Sequence, residues 1–138
     1  MKQGELPKVY NTAILPAIEY CSEIYDSLIP GYLSDQLEAV QKQAMKIVFG
    51  WGLDYIGLIE SGRVKSLKQR RTEACLRFAN KTLFNPRFGP IWFPLNSFDR
   101  TVRASTRKRF KEEQYKTERS KNNPVQHMIR LLNRQSTE

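Results

Sequence analysis

The chain is poor in the residues that do chemistry. Its 138 residues hold two cysteines and one histidine. Cys21 and Cys75 stand far apart, each within an apolar helical pattern, which predicts two buried thiols rather than a disulfide framework. Zinc needs a cluster of Cys and His, and two distant cysteines with one distant histidine do not make one, so no metal site is expected. His127, near a helix end, reads as a packing or surface residue. Glu19 and Glu23, four apart, can share a helix face; such pairs can serve acid–base or magnesium chemistry, but on an exposed helix they form an ordinary solvated face. The Gly50-Trp51-Gly52 turn lacks the lysine and helix start of a phosphate cradle. No apolar run reaches the length of a membrane span, and Met1–Leu6 has no signal-peptide core. The expectation is a chain that is intracellular (cytoplasmic or nuclear), touches no membrane, and carries no catalytic residue and no cofactor.

Positive charge is what the chain has in excess. Lys and Arg number 23 against 14 acidic residues, a net charge of +9. That balance favours a polyanionic partner, nucleic acid before an anionic membrane surface. Two basic clusters carry it. Arg63, Lys65, Lys68, Arg70 and Arg71 lie at the entry and first turns of an expected helix. The second is a basic stretch over 100–121 in which Arg107, Lys108, Arg109 and Lys111 sit beside Phe110 and Tyr115. Cations supply phosphate contacts and aromatics can stack on unpaired bases, so RNA or DNA backbone is the expected ligand of both.

The pattern of apolar residues is helical, with no alternating strand over residues 1–84. A first segment, about Leu6 to Leu28, places Val9, Ala13, Ile14, Ala17, Cys21, Ile24, Tyr25 and Leu28 on one face, with a kink or two abutting helices at Pro16. Ser34 is the expected cap of a second helix closing at Gly50, with Leu37, Val40, Gln41, Ala44, Ile47 and Val48 inside. Asp54 caps a third ending at Gly62. Ser66 opens a fourth that runs to Phe84 before Asn85-Pro86, its inner face Leu67, Arg71, Ala74, Cys75 and Phe78. The stretch "NPRFGPIWFPLNSF" is too apolar for a linker and reads as an irregular strap. Asn123-Pro124 then starts a terminal helix through Leu132. The fold class is therefore all-α: a small bundle of about four helices over 1–94, then a basic, partly irregular tail over 95–138.

The ordered motifs resemble the segment downstream of the polymerase palm in non-LTR (LINE-type, jockey- or CR1-like) retrotransposon reverse transcriptases. They are Tyr10, Leu15-Pro16-Ala17, Glu19-Tyr20, Tyr25, Leu33, Leu37, Gln41-Lys42 and Phe49-Gly50, then Leu67, Arg70-Arg71 and Asn85-Pro86, and finally "YKTERSKNNPVQHMIRLLN". The match spans roughly Leu6 to Asn133. Two positions depart from the pattern: Tyr25 stands for the common tryptophan, and Asn122-Asn123 for an aromatic before Pro124. The resemblance implies a thumb-like region that holds a template–primer duplex against the palm. The aromatic-Ala-Asp-Asp box that binds magnesium in the parent RNA-directed DNA polymerase is absent from these residues, so the isolated chain is expected to be a fragment without polymerase activity, its partners nucleic acid and the palm. Two other readings stay open: a helical protein-interaction module, with Tyr10, Ile14 and Ile18 as candidate exposed apolar residues, and a remnant of a mobile element without a function.

Overall fold

The computed structural model describes residues 5–52, 54–96 and 109–136. The described residues are mostly helical, and among them no strand forms; Leu95 and Phe110 make an isolated antiparallel bridge. The all-α class expected from the sequence is what the chain adopts. No helix among the described residues is long and apolar enough to cross a membrane. The chain divides into two compact units, one comprising the residues up to Ser22 with Ile29–Thr72, the other Glu23–Leu28 with Glu73–Glu138. The expected boundary at 94/95 falls inside the second unit.

In the first unit, helix α1 (Leu6–Val9) leads into a π-helical turn (Tyr10–Ile14) and then α2 (Leu15–Glu19). Pro16 causes this. It has no N–H to donate, and its ring collides with the carbonyl four residues back in a tight α-turn. Widening the turn relieves both problems, and Leu15 N–H reaches Tyr10 O instead, a five-residue bond. The wide turn changes which residues face inward. Tyr10 and Leu15 are buried while Val9, Ala13, Ile14 and Ala17 are exposed, against the simple 3.6-residue count. The chain breaks later than Pro16, at Tyr20 (ψ 126°) and Cys21 (φ 55°), so α3 (Ser22–Tyr25) does not continue α2. Cys21 is exposed, which corrects one half of the buried-thiol expectation.

Helix α4 (Gly31–Phe49) starts three residues before the expected Ser34 cap. Pro30 is extended and its carbonyl accepts from both Leu33 and Ser34 N–H, at 3.1 Å each, so Ser34 is already inside the helix. Gly50, at φ 106°, ends it as expected, a conformation few other residues tolerate. The inner face is Leu37, Gln41, Ala44, Met45 and Val48. Val40 and Ile47, expected inside, are exposed. Asp54 accepts Ile56 N–H to cap α5 (Tyr55–Glu60), and Gly62 follows at φ 71°. Tyr10, Leu15, Met45, Tyr55 and Leu67 form the core of this unit.

Helix α6 (Leu67–Leu83) is opened by Ser66, whose hydroxyl accepts Gln69 N–H at 3.1 Å. One four-residue row of it is buried: Leu67 and Arg71 within the first unit, Cys75 and Ala79 within the second. Phe78, expected inside, is exposed. The Asn85 side chain accepts from Arg87 and Phe88 N–H and turns the chain into α7 (Gly89–Trp92). Gly89 packs so closely on Leu83 O that any Cβ there would overlap it. The strap then returns: Asn96 N–H donates to Arg109 O and Lys111 N–H to Pro94 O.

A one-turn helix α8 (Glu118–Lys121) precedes α9 (Pro124–Gln135), capped by Asn123 Oδ1 on Val125 N–H at 2.9 Å with Pro124 in the first position, as the sequence predicts. Its stripe of Val125, Met128, Ile129 and Leu132 meets Ala79, Phe93 and Phe110 in the core of the second unit. Residues 109–136 are therefore core-forming and not a tail. Phe93 and Phe110 meet edge to face, ring centroids 6.1 Å apart, an arrangement that adds about 1 kcal/mol to their burial.

Candidate nucleic-acid interface

The structure divides the first basic cluster by use. Arg71 turns inward: it is 2% exposed and donates to Ser34 Oγ at 2.6 Å. Its place in the buried row of α6 explains this, and it is not available to a phosphate. Arg70 is half-buried and forms a two-pronged ion pair with Glu19. Arg63, Lys65 and Lys68 are exposed. Lys68 lies beside Asp35, Glu38 and Glu60 on a groove of acidic character, whereas Arg63, Lys65 and Arg70 rim another cleft.

That cleft, of about 310 Å³, is floored by Tyr10, Leu15 and Met45. Its walls are set by the wide turn ahead of Pro16, by α4, and by the Gly62–Lys65 loop. Gln41 holds the loop in place, its Nε2 donating to Lys65 O at 2.9 Å. The Tyr10 hydroxyl is buried without a hydrogen-bond partner. Burial pushes this phenol above its ordinary pKa; Arg70 opposes the shift, and Glu19 and Glu38 add to it. Tyr10 thus stays a neutral O–H donor at physiological pH, in a cleft whose rim is cationic. Sequence reasoning missed Tyr10 as a polar site residue, because nothing in the spacing marks a wide turn before Pro16 as the place where a phenol is buried beside arginine.

The second cluster is altered more deeply. Arg107 and Lys108 lie outside the described residues. Arg109 and Lys111 are exposed, with the Arg109 guanidinium 5.2 Å from the centre of the Phe110 ring. Phe110 is 1% exposed, so it cannot stack on a base. Tyr115 is half-buried; its hydroxyl donates to Gln126 Oε1 at 3.2 Å and Arg130 lies against its ring. Both aromatics serve the fold. Tyr10 is likewise buried where an exposed apolar contact was expected.

Glu19 and Glu23 do not form a shared face, because the break at Tyr20–Cys21 separates them. Cys75 and His127, 52 residues apart in sequence, do come together with Asp26: one donor atom from each lies within 4.8 Å of the others. Distance along the chain was the argument against a metal site, and the fold removes it. No family model matches this chain, and neither a curated protein nor a solved structure matches it.

Proposed function

We propose that this chain is the helical, thumb-like region of a non-LTR retrotransposon reverse transcriptase and binds RNA or DNA through backbone phosphates, with little dependence on sequence. The observation that carries the binding reading is the cleft on the first unit, where Arg63 and Lys65 are exposed along the rim. A phosphate oxygen has the charge and the lone pairs for these two cations. The net charge of +9 supplies long-range attraction toward such a partner.

The family assignment rests on the ordered motifs, and several of these residues are partners of one another. Glu19 pairs with Arg70, Gln41 holds the backbone of Lys65, and Tyr10 and Leu67 share one core. A motif set that closes one unit on itself is what a shared fold requires. The polymerase activity belongs to a palm and its magnesium ions, so this region has a holding role rather than a chemical one.

Fluorescence anisotropy with labelled single-stranded RNAs of unrelated sequence, and with a primer–template duplex, tests the reading. Affinities within a few-fold of one another, all falling steeply with salt, are expected. Affinity that ignores salt, or one oligonucleotide bound far above the rest, contradicts it.

One observation favours a protein partner as a second reading. Leu33, Val40 and Ile47 recur every seven residues along α4 and are all exposed, 37%, 52% and 57%. Such a row fits another helix or the palm. Sedimentation at low and high concentration separates a self-associating chain from a monomer.

A further inference from the structure

We propose that Asp26, Cys75 and His127 form a binding site for a zinc-class divalent cation within the second unit. The three come from separate places in the chain: Asp26 from the segment after α3, Cys75 from the middle of α6, His127 from the first turn of α9. Their donor atoms converge within 4.8 Å. Cys75 is fully buried, the Asp26 side chain is 9% exposed and that of His127 24%. Nε2 of His127 lies 3.3 Å from Asp26 Oδ2, yet it is buried and makes no hydrogen bond.

Geometry separates a metal site from the other use of these residue types. A Cys–His–Asp catalytic relay is linear: thiol and carboxylate address opposite nitrogens of the ring. Here one donor atom of each residue lies within 4.8 Å of the other two, and the sulfur is enclosed, out of reach of a substrate. A convergent triangle is what a cation needs. Nitrogen and oxygen ligands about 2.0–2.1 Å from a tetrahedral zinc ion lie roughly 3.3 Å apart, which is the Nε2 to Oδ2 separation found.

Donor chemistry selects the ion. Thiolate, imidazole and carboxylate together suit zinc or a close relative and not magnesium or calcium, which prefer oxygen. Charge agrees as well. The Cys75 thiol points its hydrogen at Glu23 O, 3.6 Å away; on binding, that proton leaves and an S–metal bond forms. One thiolate and one carboxylate then cancel the two charges of the ion, while His127 coordinates neutral through its lone pair. A neutral assembly is what this enclosed position tolerates. The three protein ligands leave a fourth position for water.

Zinc titration of the purified, metal-stripped full chain against a chromophoric chelator, with cobalt(II) as a spectroscopic substitute, tests the site. One equivalent of zinc should bind, and cobalt should give a thiolate-to-metal charge-transfer band. Cys75→Ser should abolish that band and Cys21→Ser should leave it intact. Asp26→Asn and His127→Gln, which preserve size and depend less on the core, should each weaken zinc binding by at least ~100-fold. No stoichiometric uptake by the wild-type chain overturns the proposal. So does a band that survives Cys75→Ser, or zinc affinity unchanged in both Asp26→Asn and His127→Gln.

Discussion

The two units bury different things. The first adds to its apolar core a set of polar partners: Arg71 on Ser34, Arg70 on Glu19, and Glu38, which accepts both the Tyr55 hydroxyl at 2.5 Å and Leu67 N–H at 3.0 Å. The second closes around apolar side chains, Phe93, Phe110, Met128, Ile129 and Leu132. Its main polar tie is an amide: Asn133 takes Phe110 N–H at 2.8 Å and donates to Phe110 O at 3.0 Å. In both units one side chain satisfies backbone groups of a distant segment. A carboxylate against a phenol depends on pH, and an amide against a peptide group does not. The difference teaches that similar helical architecture can be held by interactions with opposite sensitivities.

The largest expected effect is in the apolar unit. Phe110→Ala removes a fully buried ring and its edge-to-face partner, and should destabilise the second unit by about 4 kcal/mol. Denaturant unfolding followed by Trp92 emission in a Trp51→Phe background reads that unit, since Trp92 packs on its core. A loss under about 1 kcal/mol would mean that the strap is not part of the core. Asn133→Ala should cost somewhat less, about 3 kcal/mol, by leaving both backbone groups of Phe110 unpaired in the interior. If Asn133→Ala is neutral, the amide tie is not what fixes the strap.

In the polar unit the expected signature is alkaline. Burial first, and then the hydrogen bond and charge of Glu38, hold the Tyr55 phenol well above its ordinary value of 10.0, and burial raises Tyr10 too. The folded state therefore keeps protons that the unfolded state gives up. Stability from these groups is complete below about pH 10 and falls as pH rises beyond it. Tyrosinate absorbance on alkaline titration should show Tyr10 and Tyr55 ionising later in the folded chain than in the denatured one. Tyr55→Phe should flatten the pH dependence while costing about 1 kcal/mol at neutral pH. Six tyrosines titrating together near pH 10 in the folded chain would erase the contrast between the units.

What the sequence made legible follows from this contrast. Caps and stops were readable where helices are regular: the Asp54, Ser66 and Asn123 caps and the Gly50 stop all stand where spacing puts them. Reading failed where a local exception resets the count. The wide turn before Pro16 moves Tyr10 and Leu15 inward and Val9 outward, and Pro30 starts α4 ahead of Ser34. It failed again where residue type suggested the surface. Arg71 was assigned to phosphate and lies in the core, although its place in the row Leu67–Arg71–Cys75 was the sign that it would turn inward. Phe110 looked like a base-stacking residue because its neighbours are charged, yet a strap crossing a core must bury something, and the aromatic is what it buries. Contacts between distant residues, such as those that bring Cys75 to His127, leave no local spacing to read.

The smallest stability effect and the most direct functional one coincide at the exposed rim. Arg63→Gln with Lys65→Gln touches no core side chain, so unfolding should shift by less than about 0.5 kcal/mol. The decisive measurement is the salt dependence of single-stranded RNA binding by this double variant beside the wild-type chain. If the two cations each neutralise a phosphate, the slope of log affinity against log salt should lose about 1.4, roughly 0.7 for each contact. A variant with the wild-type slope would contradict phosphate binding at this cleft.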